Sequence, residues 1–329
     1  MLSTLTRLCS HLQPINLKFS DLNISKNLSN ELFEAFSKDG LGLLTISGIP
    51  KYKSKCSKLL SMSYELCQLS ISEKSKIENP ESGYKIGWKD NCHDYPYGTF
   101  TANPLDDYRE ESFYHNLWPN SKMPLLRPAF RDLSTSILNT SFLIAQHIDK
   151  YLENIYPYST ICRFKDLLCS SKDHIGALNS CGTCVDEIEG WKSFYSVFVA
   201  YSCPIYVDKS SLTMRWNEEF NYETGIYVQD KDHNPVHIKL DNDMLLIQVG
   251  KAAQIISGGI FDSKPISFSH NAQFSGIKKS DFRVFLNPNS NSQIYCPDET
   301  NTYNTSKIDH QLKHFFKSGM PFSNLKSLF

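Results

Sequence analysis

Cys181 and Cys184 have the spacing most suggestive of chemistry, since Cys-Gly-Thr-Cys suits a metal site or a redox pair. A structural zinc site needs four ligands, and neither a second C-x-x-C nor a paired His stands at a usual spacing. A thioredoxin-like role would need a βαβ setting, which the flanking sequence lacks. Two ordinary loop thiols is the favoured reading. Cys92-His93 could offer a thiol beside an imidazole, but adjacent side chains point in different directions, so a nucleophile–base pair is not expected. His115, His147, His174, His233 and His237 form no ligand pattern. The chain has no P-loop, no G-x-G-x-x-G and no G-x-S-x-G.

The elements that would position a site change character along the chain. Pro14 to Leu22 alternates like a strand, and Ser29 to Ser37 reads as a short helix with Ser29 as its N-cap. Leu41 to Ile49 is a β-rich run stopped by Pro50, followed by helical stretches over Lys51–Leu69 and Ser70–Glu78. Glu81 to Trp118 mixes glycines, prolines and aromatics without a period and reads as an irregular excursion. Leu126, Phe130, Leu133, Ile137, Ile144, Ile148 and Leu152 form one helical stripe, which is expected to pack in the core. From about residue 175 the pattern turns to short β runs: Ser193–Tyr206, Thr224–Val228, Val236–Leu240, Met244–Val249, Ala252–Ile256 and Phe282–Leu286. Frequent turn residues between them suggest a sandwich or barrel. The lysine-rich tail from Ser306 to Phe329 is expected to end in a helix.

The 329 residues are 40% hydrophobic and 12% aromatic, enough for a sizeable core. A formal net charge of -1 gives no electrostatic reason to expect nucleic acid or an anionic membrane as partner. Ten irregularly spaced cysteines give no disulfide framework. No run of about 18 apolar residues predicts a membrane span. The first twenty residues carry one Arg, no acid and several Ser/Thr, which faintly resembles a mitochondrial presequence. A short extension and a cytoplasmic protein is the favoured reading.

Several strings together resemble the isopenicillin-N-synthase-like branch of the Fe(II)/2-oxoglutarate-dependent dioxygenase superfamily, in particular a plant and protist subgroup. They are the Pro14–Leu22 and Leu41–Pro50 opening, Gly87-Trp88, Gly98-Thr-Phe-Thr-Ala-Asn-Pro104, Asn116-Leu-Trp-Pro119, Leu125 to Phe130, Gln248 to Gly259, and Gly276 to Pro288. The resemblance covers about residues 14 to 320 and implies a mainly β fold with α: a double-stranded β-helix (jelly-roll) core with N-terminal and flanking helices. The divisions it suggests are an extension at 1–13, an α/β and helical region at 14–175, the oxygenase-like core at 176–290 and a tail at 291–329, within one integrated domain.

The family holds Fe(II) with two His and a carboxylate and leaves positions open for 2-oxoglutarate and dioxygen. The first His and the carboxylate stand two apart in a Gly-Trp-His-x-Asp frame, which here reads Gly190-Trp191-Lys192-Ser193-Phe194. The distal His follows a Ser-Gly-Gly turn and a proline, and the matching frame from Ser257 to Pro265 places Ile266 there. The resemblance therefore implies that Lys192, Phe194 and Ile266 occupy the ligand positions and that the iron site is lost. A second alignment puts Asn217 and Glu219 in the first frame but leaves Gly190 to Asp208 unexplained. His270 could serve as distal ligand only after a strand slip, which would turn side chains to the other face. The family's Arg for the 2-oxoglutarate carboxylate, with Ser or Thr two residues on, corresponds to Lys278-Lys279-Ser280-Asp281. Lys279 could attract an anion as a point charge. Asp281 would oppose a carboxylate, and solvated lysines at a turn is the favoured reading there.

The expectation is thus a 2-oxoglutarate/Fe(II) dioxygenase-like protein without catalysis, metal or cofactor, acting as a binding or scaffold protein for a small anion or a protein partner. Lys192 is expected to point into the remaining cavity. The alternatives are an active non-haem iron oxidoreductase with displaced ligands, and a metal-independent enzyme using a desolvated Lys192 as base or nucleophile.

Overall fold

The computed structural model describes residues 13–92, 97–105, 115–157, 163–181, 190–208, 213–216, 225–269, 277–297 and 316–327. Its framework is a large sheet in the order β1-β2-β11-β6-β13-β5-β4-β3. In chain order these strands are β1 (Ile15–Lys18), β2 (Leu43–Ser47), β3 (Gly87–Cys92), β4 (Tyr97–Ala102), β5 (Ile175–Cys181), β6 (Phe198–Ser202), β11 (Leu245–Val249) and β13 (Ile277–Leu286). Two short strands, β7 (Ile205–Asp208) and β8 (Met214–Trp216), continue the sheet beside the first half of β13. Pro204 separates β6 from β7 and cannot donate to a ladder. At this break the Phe282 N–H donates to the Ser202 hydroxyl at 3.0 Å. A smaller antiparallel sheet holds β9 (Gly225–Gln229) between β10 (Pro235–Ile238) and β12 (Ile266–Ser269). A two-residue pair, β14 (Gln293–Ile294) with β15 (Met320–Pro321), lies near the C-terminus.

The period of two along each strand divides the large sheet into two faces. Phe198 and Ala200 of β6, Leu245 and Ile247 of β11, and Phe282, Val284 and Leu286 of β13 join a cluster with the helices. Val199, Tyr201 and Leu246 join a second cluster with Ile226, Val228, Val236, Ile238, Ile266 and Phe268 of the small sheet. This second cluster fills the gap between the sheets, and each fully buried aliphatic side chain there contributes about 1.5–3 kcal/mol.

The helices are α1 (Ser29–Phe36), α2 (Tyr52–Cys67), α3 (Ile71–Lys74), α4 (Leu126–Ile155), α5 (Phe164–Cys169), α6 (Lys251–Ile256) and α7 (Phe322–Ser327). The seven stripe residues of α4 are all fully buried, as their spacing predicts. Phe130 at its first turns meets Phe282 with ring centroids 4.9 Å apart, which seats α4 on the outer face of β13. Asp149 of α4 accepts from the Phe164 and Lys165 N–H groups at 2.6 and 2.9 Å, so one helix caps the next.

Three local expectations need correction. Ser29 is not the N-cap: α1 starts there, Leu28 holds the N-cap position without a side-chain cap, and the Asn27 side chain accepts from the Ser29 N–H at 3.0 Å. The stretch Ala252–Ile256, read as a strand, lies in α6. All six α6 residues are buried, the polar Lys251 and Gln254 included, so a short apolar run broken by one glutamine carried no period to distinguish the two. Within the expected irregular excursion, β3 and β4 form a hairpin on the sheet edge. Its strand signal was hidden by glycine and charged residues. Position 98 is glycine because Trp88 lies against it: a Cβ there would run into the indole ring.

Candidate ligand site between the sheets

β13 runs through the middle of the large sheet and alternates Lys279, Asp281, Arg283 and Phe285 on the face away from the helices. Lys279 is buried, so the expectation of solvated lysines at a turn fails for this residue; β13 begins at Ile277 and places it inside a ladder, opposite Tyr206 of β7 and Cys181 of β5. Asp281 is buried and accepts from Arg283 Nε at 2.8 Å and Asn179 Nδ2 at 2.9 Å. Burial alone would raise its carboxyl pKa. The Arg283 and Lys279 charges, with the two hydrogen bonds, outweigh burial and hold it below the ordinary range. The Arg283 guanidinium sits 3.8 Å above the centre of the Phe268 ring on the small sheet, bridging the gap. Its other aromatic neighbour, Tyr201, donates to Gln248 Oε1 at 2.8 Å, and Gln248 Nε2 donates to the Lys264 carbonyl at 2.8 Å. Burial pushes the Tyr201 phenol up, so it stays a neutral donor. Thr99 of β4 in turn donates to Asn179 at 2.9 Å.

At one end of this gap Lys192 and Ile266 are cross-strand partners, with N–H···O distances of 2.7 and 2.9 Å in the two directions. Ile266 is fully buried in the apolar cluster. Lys192 is exposed. The desolvation that a lysine base or nucleophile would need is absent at that residue. Phe194, two residues on, packs in the same cluster as Ile266, its ring 5.5 Å from that of Phe285. The structure thus brings Lys192, Phe194 and Ile266 to one place. An ammonium, a benzyl ring and a sec-butyl group offer no donor set for Fe(II).

Asn217, Glu219, His270, Cys184 and His93 lie outside the described residues, as do the side chains of Cys92 and Cys181. Among the described residues no group of three His, Cys, Asp or Glu stands close enough to hold a metal ion. His174 is a core residue, its ring between the Leu168 carbonyl and the Asn287 N–H. A separate cleft of about 500 Å³, lined by Lys51, Lys53, Trp216 and Asp243 among others, lies at the far end of the sheet from Lys192. Asp243 precedes the end of β11 that pairs with Ser202, whereas Phe198 pairs with the other end. Sequence reasoning passed over Arg283, Tyr201, Gln248 and Asn179. The Lys-x-Asp-x-Arg alternation at 279–283 was the available signal for the first of these.

Solved structures share the fold. A protein of the 2OG-Fe(II) oxygenase family from Caulobacter crescentus superposes with a TM-score of 0.69 at 13% identity, over 95% of this chain and 97% of that one. A full-length Neurospora crassa protein, solved in complex with alpha-KG, gives 0.69 at 12% identity over 97% of both chains. The chain has the fold of the 2OG-Fe(II) oxygenases. A dioxygenase for auxin oxidation in rice gives 0.66 at 11% identity, over 96% and 94% of the two chains. No protein-family model and no curated protein matches the sequence. No described helix is long and apolar enough to cross a membrane.

Proposed function

We propose that this chain is a catalytically inactive relative of the isopenicillin-N-synthase-like dioxygenases, with a jelly-roll core in one integrated domain, which acts as a cytoplasmic binding or scaffold protein. The observation that carries the reading is the Lys192–Ile266 pair with Phe194 beside it: the three positions expected to ligate iron converge and present no ligand. Two of the replacements are apolar and pack against one another's neighbours, so the place of a metal is taken up by core. The fold supplies a rigid frame for surface recognition, and its function must be sought in a site other than the iron centre. A small anion or a protein is the partner class in this reading; nucleic acid and membrane are not.

Anaerobic titration of the full chain with Fe(II) in the presence of 2-oxoglutarate tests it. The expected result is no stoichiometric uptake and no succinate formed on admitting oxygen. Stoichiometric iron with turnover of 2-oxoglutarate would overturn the reading and direct attention to Glu219 and His270.

A further inference from the structure

The cleft beside the first turn of α2 is walled by four segments that are far apart in sequence. They are the end of β2 through Ile49, the start of α2 through Lys51 and Lys53, β8 through Trp216, and the β10–β11 turn through Asp243. Its volume of about 500 Å³ is that of a small-molecule site. We propose that this cleft binds a free aromatic α-amino acid as the zwitterion, with the carboxylate at Lys51 and Lys53, the ammonium at Asp243 and the ring against Trp216 and Ile49. The site is independent of the iron positions, which lie at the opposite end of the sheet.

Charge and shape both select this ligand. A turn with Lys51 in the left-handed region (φ 57°) carries the chain from β2 into α2, and the Tyr52 N–H donates to the Ile49 carbonyl at 3.1 Å. Lys53 Nζ lies 5.8 Å from the centre of the Trp216 ring, so a cation and the indole stand together. Ser57 Oγ donates to Met214 Sδ at 4.0 Å, a second contact seating β8 on α2. Asp243 is exposed in its own turn, where the Met244 N–H donates to the Asp241 carbonyl at 3.1 Å. Among the described residues Lys51, Lys53 and Asp243 form no ion pair, with one another or elsewhere. One cleft therefore holds cations and a carboxylate that do not neutralise each other, together with an indole and an isoleucine. A plain anion would be opposed by Asp243 and a plain cation by the lysines. A molecule carrying both charges beside an apolar ring complements every wall. Each exposed charge contact is weak, so ring burial carries the affinity and the charges carry the selectivity.

The test uses the full chain without added metal and three probes of one shape: phenylalanine, phenylpropionate, which lacks the ammonium, and phenylethylamine, which lacks the carboxylate. Binding is followed by calorimetry and by tryptophan fluorescence. Phenylalanine is expected to saturate the natural protein with a Kd of about 1 mM or below. Each one-charge analogue is expected to bind at least about threefold more weakly. This comparison needs no variant to fold. Absence of saturable phenylalanine binding, or an analogue that binds as well, overturns the proposal. Asp243→Asn is expected to bring phenylalanine down to the level of phenylpropionate, and undiminished binding in the folded variant overturns the role of that carboxylate and the proposal with it. Trp216→Phe is expected to keep the calorimetric binding and to lose the fluorescence change. A fluorescence change that survives in this variant puts the ligand elsewhere and overturns the proposal as well.

Discussion

Lys192 and Ile266 exchange backbone hydrogen bonds across two antiparallel segments, yet one side chain is exposed and the other fully buried. Their energetic weights should differ accordingly. Ile266→Ala is expected to cost about 2–5 kcal/mol through lost burial and the cavity left behind, whereas Lys192→Ala should stay within about 0.5 kcal/mol. Urea unfolding of the two variants measures both. Equal costs would mean that Ile266 does not carry core packing.

The convergence of Lys192, Phe194 and Ile266 makes a constructive experiment available. A Lys192→His, Phe194→Asp, Ile266→His variant should take up Co(II) or Fe(II) in a folded protein, read from the ligand-field absorption of cobalt. A folded variant that binds no metal would show that these positions do not correspond to the oxygenase ligands.

Asp281 is buried and pairs with the partly buried Arg283, and breaking the pair from one side leaves a charge behind. Arg283→Met is expected to cost about 3–5 kcal/mol, and the double variant with Asp281→Leu should recover much of that. The double-mutant cycle by chemical denaturation gives the coupling. Asp281 has a depressed carboxyl pKa, so its contribution is present above the unfolded carboxylate value and is lost as pH falls through the folded one.

Asp149 behaves in the opposite sense. Burial raises its carboxyl to about 6, although the Lys165 and Phe164 N–H groups pull it down. The folded state therefore takes up a proton that the unfolded chain, with a value of about 3.9, does not. Stability from this group is fully present below the unfolded value and is lost as pH rises through about 6. Asp149→Asn should flatten that part of the pH–stability curve, and the carbon-13 shift of the Asp149 carboxyl should titrate at about 6 in the natural protein.

Gly98→Ala would force a methyl against the Trp88 ring and should cost about 1–3 kcal/mol. Trp88→Leu in the same background should relieve part of the cost. Additive losses in thermal unfolding would mean that the ring is not what excludes the side chain.

Much of this molecule could be read in its residues, for identifiable reasons. The α4 stripe was legible because seven large apolar residues hold a helical period along most of a long helix. The oxygenase likeness was legible in ordered strings, and the alignment of Lys192 and Ile266 was reached from frames that proved to be cross-strand neighbours. The helix α6 was not legible, because a six-residue segment buried on every side has no exposed face, and its two polar residues, Lys251 and Gln254, are buried with the rest. Nor was the Asp281–Arg283 pair. Sequence shows two opposite charges two apart, but their value depends on Phe268 arriving from the other sheet.

The placement of β2 has a consequence for how the chain is made. β2 pairs with β1 on one side and with β11 on the other, and β11 follows it by roughly 200 residues, so this part of the sheet is among the most non-local contacts in the fold. During synthesis the Leu43–Ser47 backbone must wait, with one edge unpaired, until Leu245–Val249 has left the ribosome. For that interval the N-terminal third depends on its helices, or on a chaperone, to keep an apolar strand edge from pairing with the wrong chain.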